Sequence, residues 1–100
     1  MIRHIVLLKI KDGVEGLSKA ESMAKGKALV EGMNGKIPGL IKAEAGIDFL
    51  RSDASADMVV YAELESREAL SVYANHPVHL EVLAYLKTII SERQVADYEC

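Results

Sequence analysis

Two stretches of the chain alternate in such a way that both of their faces are apolar. In Ile2 to Ile10 (IRHIVLLKI), His4, Val6, Leu8 and Ile10 share one face, and Ile5, Leu7 and Lys9 share the other. In Asp57 to Leu64, Met58, Val60, Ala62 and Leu64 share one face, and Val59, Tyr61 and Glu63 the other. A strand with two apolar faces needs cover on both sides of its sheet. Leu40 to Leu50 alternates less cleanly and carries Gly46, which predicts a bulge or a close approach. Ile89 to Glu99 closes the chain as a strand anchored by Ile90 and Val95.

Helical patterns fill the intervals. Val14 to Met33 is rich in Ala, Lys, Glu and Leu, with Leu17, Ala20, Ala24 and Ala28 as its apolar stripe and Met23, Val30 and Met33 beside it. Asn34-Gly35 stops that helix, and Ile37-Pro38-Gly39 leads into the next strand. Ser66 is a good N-cap for a helix that turns Ala69, Leu70 and Tyr73 inward. Pro77 disfavours helical geometry at His76 and suits the first position of a new helix, which runs to about Leu86.

The order strand–helix–strand, given twice, predicts an α+β fold. It is a ferredoxin-like, four-stranded antiparallel sheet with helices on one face. The other face then carries Ile5, Leu7, Val59 and Tyr61, an apolar patch that soluble monomers seldom expose. The expected partner is a second copy of the chain, sheet against sheet. Lys9 and Glu63 lie on that face of adjacent strands and are expected to pair there.

Composition narrows the classes. One hundred residues, half of them hydrophobic and 27% charged, make one globular domain spanning 1–100. A net charge of −3 with dispersed Lys and Arg predicts no nucleic-acid partner. No apolar run is long enough to cross a bilayer, and a strand directly after Met1 predicts no signal peptide and no membrane association. The single cysteine, Cys100, fits a cytoplasmic location. Asp12, Glu15 and Asp48 are too dispersed for a metal cage, and no phosphate-binding glycine spacing occurs, so no metal or cofactor is expected.

Several segments together resemble the stress-responsive dimeric α/β-barrel (Dabb) family. They are IRHIVLLKIKD at the start, IPGL at 37–40, AELESREAL at 62–70, YANHPVH at 73–79 and DYE at 97–99. The resemblance covers the whole length, with His-Pro-x-His as its most specific part. It implies a homodimeric barrel with helices outside and, for most members, no assigned reaction. One plant branch of similar proteins consists of cofactor-free polyketide cyclases that perform an intramolecular aldol condensation. Their histidine–tyrosine set matches His4, Tyr73 and His79, whereas a further pocket histidine is replaced by Met58. Cofactor-free monooxygenases share the architecture without a matching motif.

The resemblance implies catalytic roles for His4, Tyr73 and His79. His4, Val6, Met58 and Val60 share the face assigned to the helices, and Tyr73 and His79 come from those helices. A common pocket follows, in which imidazole takes a proton and the phenol steadies an oxyanion. Val6, Met58, Val60 and His76 are expected to contact a small organic ligand there, His76 with an alternative role as a helix cap. A purely structural dimer, its interior filled by its own side chains, is the competing expectation.

Overall fold

The two strands with doubly apolar faces lie side by side in the middle of the sheet. In a computed structural model describing residues 1–100, β1 (Ile2–Ile10) is followed by β2 (Gly13–Val14), β3 (Leu17–Ser18), α1 (Lys19–Glu31) and β4 (Leu40–Ile47). β5 (Met58–Leu64), α2 (Arg67–Asn75), α3 (Pro77–Ile89) and β6 (Ile90–Glu99) complete the chain. The main sheet has the order β4-β5-β1-β6, and every neighbouring pair is antiparallel. Ile2 faces Leu64 and Val6 faces Val60 across the central pair, so the apolar faces of both strands coincide.

The helices cover one side. Val6, Leu8 and Ile10 of β1 are buried there with Met58, Val60, Ala62 and Leu64 of β5. No helix covers the opposite side, where Leu7 is exposed and Ile5, Val59 and Tyr61 are half-buried. The expected Lys9–Glu63 pair does not form. The register puts Lys9 opposite Glu92 and Glu63 opposite Arg3, and Glu63 instead accepts a 2.6 Å hydrogen bond from the Tyr61 hydroxyl.

The first helix starts later than its composition suggests. Val14 and Leu17 belong to a small hairpin, reversed at Glu15-Gly16 with both residues at positive φ. Ser18 then opens α1 with a reciprocal capping box to Glu21. The inward stripe is also rotated. Met23, Gly26, Val30 and Met33 are buried, while Ala20, Ala24 and Ala28 face solvent. The larger side chains exclude more apolar area from water, and Gly26 lets α1 come close to Leu86 of α3. Val95 anchors nothing, being exposed on the edge strand β6.

Strand β4 departs from expectation at one point and conforms at another. The irregularity falls between Leu40 and Lys42, not at Gly46, which is instead a close approach to Val59. The outer edge of β4 is occupied by side chains from the end of α1 and the turn after it. Asn34 both donates to the Ala43 carbonyl and accepts from its N–H, each at 2.8 Å, and Lys27 reaches the Ala45 carbonyl. These bonds block that edge against further strand pairing.

Candidate functional site

Alternation along β1 sends the His4 side chain toward the helices, and the register sets Asp97 of β6 directly opposite it. The His4 Nδ1–H donates to Asp97 Oδ1 at 2.5 Å, since an ionised carboxylate can only accept. Nε2 takes no part in that bond.

Tyr73 arrives by helical periodicity. Ser66 caps α2 through a bond from the Ala69 N–H, and Ala69 and Tyr73, four residues apart, are the buried residues of that helix. Pro77 then ends α2, leaving its last carbonyls without helical donors. His79, in the first turn of α3, donates from Nδ1 to one of them, Ala74 O, at 3.2 Å. Its Nε2 is likewise outside that bond.

These three rings meet. Tyr73 and His79 have centroids 4.3 Å apart, and His4 lies edge-on to Tyr73 at 5.7 Å. They border a cavity between sheet and helices, walled by Val6, Leu8 and Val60 from the sheet and Val30 and Met33 at the end of α1. Val82, Leu83 and Leu86 continue the His79 face of α3. The free volume is about 40 Å³, room for about three water molecules. Arg93 of β6, exposed to solvent, stands at the rim.

Burial sets the protonation of the site. The enclosed Tyr73 phenol is pushed up to about 12 by desolvation and stays a hydrogen-bond donor at neutral pH. His79 is lowered, first by desolvation and further by the positive potential of His4 and Arg93, against the opposing bond to Ala74. The lining therefore offers a neutral phenol, a neutral imidazole at His79 and one permanent cation, with no carboxylate among its residues. No group of three or more His, Cys, Asp or Glu converges anywhere as metal ligands.

Two expected ligand contacts are absent from this lining. Met58 lies on the expected side of the sheet but is buried beneath α1, its terminus reaching under Gly26 rather than into the cavity. His76 adopts extended backbone before Pro77 and caps α3, its Nδ1 accepting from the Val78 N–H at 3.1 Å. Arg93 completes the site without any signal in the sequence, and Asp97 enters there only within the DYE segment, with no role attached. Pairing β1 with the closing strand end to end would have placed Asp97 against His4.

Residues 2–100 match the family described as the Stress responsive A/B Barrel Domain. An uncharacterised protein of Streptomyces coelicolor is 29% identical over 99 residues, covering 99% of each chain. Among solved structures, a dimeric ferredoxin-like protein of unknown function from Bacteroides fragilis is 28% identical, with a TM-score of 0.87 over 99% of this chain and 95% of its own. A hydroxynitrile lyase from Passiflora edulis shares the fold, with a TM-score of 0.78 at 18% identity over 97% of this chain and 90% of its own. No helix is long and apolar enough to cross a membrane.

Proposed function

Since this chain belongs to the family of stress-responsive A/B barrel domains, we propose that it is a homodimer that binds a small organic molecule between its sheet and helices. The observation that carries the reading is the cavity where His4, Tyr73 and His79 meet on otherwise apolar walls. Apolar walls supply affinity, and a few convergent polar atoms fix orientation. The small free volume favours a compact ligand, or one that displaces the half-buried Leu83 as it enters. The dimeric state of the Bacteroides fragilis protein and the uncovered Leu7 face support self-association. A thermal-shift screen of compact carbonyl compounds tests the binding reading. Stabilisation is expected for the native chain and lost in Leu83→Trp, which fills the cavity from its half-buried wall. Equal stabilisation of both proteins would place binding elsewhere.

The His4–Asp97 bond favours a second reading, cofactor-free proton transfer of the kind used by polyketide cyclases. Asp97 orients the His4 ring, Nε2 of His4 or His79 takes the proton, and the Tyr73 hydroxyl donates to the oxygen that gains charge. For any compound found to turn over, Asp97→Asn is expected to lower kcat about a hundredfold or more, the range of a positioned base. An unchanged rate in that variant would reduce the site to binding.

A further inference from the structure

Arg93 is the unexplained group of the cavity. It sits opposite Leu8 in the sheet, so its side chain shares the helix-facing side, and it borders the cavity at its rim. It takes part in none of the ion pairs or side-chain hydrogen bonds of the chain. Glu92 opposes Lys9 and therefore belongs to the other face of the sheet. Asp97 shares the face of Arg93 but stands four residues along the strand, about 13 Å away, and is engaged by His4. The charge of Arg93 nevertheless reaches into the cavity, where it contributes to the lowering of His79.

A guanidinium presents a fork of donors that a carboxylate satisfies in pairs. On its cavity side lie apolar walls and no acid among the lining residues, Glu92 bordering it only at a separate pocket on the other face with Leu7 and Lys9. We infer that the ligand of this cavity is a small organic carboxylate, its charged end held by Arg93 at the rim and its apolar body directed inward toward Tyr73. A cation would be repelled by Arg93, and a neutral molecule would leave the guanidinium unused. A fully hydrated inorganic anion would gain nothing from the apolar walls. The inference rests on the proposed binding role of the cavity and names the class of its ligand.

Isothermal titration of the native dimer with butyrate and benzoate, against butyramide and benzamide of nearly the same shape, tests it. The acids are expected to bind about tenfold more tightly than the amides, the scale of one charge-assisted hydrogen-bond pair. Arg93→Gln is expected to erase that difference by weakening the acids alone, and Arg93→Lys to restore part of it. Arg93 is exposed, so neither variant endangers the fold. Amides that bind as well as acids would overturn the carboxylate assignment and leave the cavity a neutral-ligand site, and acids unaffected by Arg93→Gln would overturn the role of Arg93 as their anchor. Failure of all four compounds to bind would overturn the cavity reading and the carboxylate assignment together.

Discussion

His79 carries the clearest measurable signature among the site residues. Desolvation lowers its pKa from the ordinary 6.5, positive charge at His4 and Arg93 adds to that, and the hydrogen bond to Ala74 resists it. In the pH window between the folded and unfolded values, the unfolded chain holds the proton more readily. The stability due to a neutral His79 is thus complete above about 6.5 and is lost as pH falls through the folded value. Proton NMR titration of the imidazole is expected to give a midpoint below 6.5, rising in Arg93→Gln. A native midpoint at or above 6.5 would contradict the enclosed position. Side-chain alternation and helical period were enough to bring His4, Tyr73 and His79 to one side of the sheet. They do not reveal depth: alternation alone directs Met58 toward the cavity, whereas it lies beneath α1. Asp97 and Arg93 escaped for a different reason. On a polar edge strand they resemble a solvated face until the register with β1 is known.

At the scale of elements, two glycines with nearly equal φ separate local strain from packing. Gly16, at the hairpin turn before α1, has φ +79° and open space where a Cβ would stand. Gly39, in the Ile-Pro-Gly turn, has φ +82°, and a Cβ there would fall 2.6 Å from that of Ala69. Gly16→Ala is expected to cost about 1 kcal/mol, from the left-handed backbone alone. Gly39→Ala adds overpacking against α2 and is expected to cost about 3 kcal/mol. Urea denaturation measures both, and equal losses would show that Ala69 yields freely. The hairpin itself was hidden in the sequence because Val14 to Ser18 blends into an Ala- and Lys-rich run. The Ser18–Glu21 capping box was the available signal for the true helix start. The breaks at Ser66 and Pro77 were legible because cap and proline chemistry act through neighbouring backbone atoms rather than through distant packing.

For the whole molecule, the order of elements and the doubly apolar central strands sufficed to read the ferredoxin-like sheet. Those same strands carry the case for a dimer. Leu7 is 42% exposed on the side that no helix covers, beside half-buried Ile5, Val59 and Tyr61. Leu7→Asp is expected to dissociate the dimer by placing an unpaired charge in a desolvated interface. Sedimentation equilibrium checks this, and a native chain that sediments near 10.9 kDa would refute the dimer outright. The central claim, however, is that the cavity beneath α2 and α3 is where this protein meets its ligand, and its three histidines report on that directly. His4 and His79 border the cavity, whereas His76 caps α3 outside it. The decisive measurement is a ligand titration followed at all three imidazoles by NMR. Saturable shifts at His4 and His79 with His76 unmoved are the expected result. Shifts at His76 alone, or binding that moves none of the three, would contradict the account.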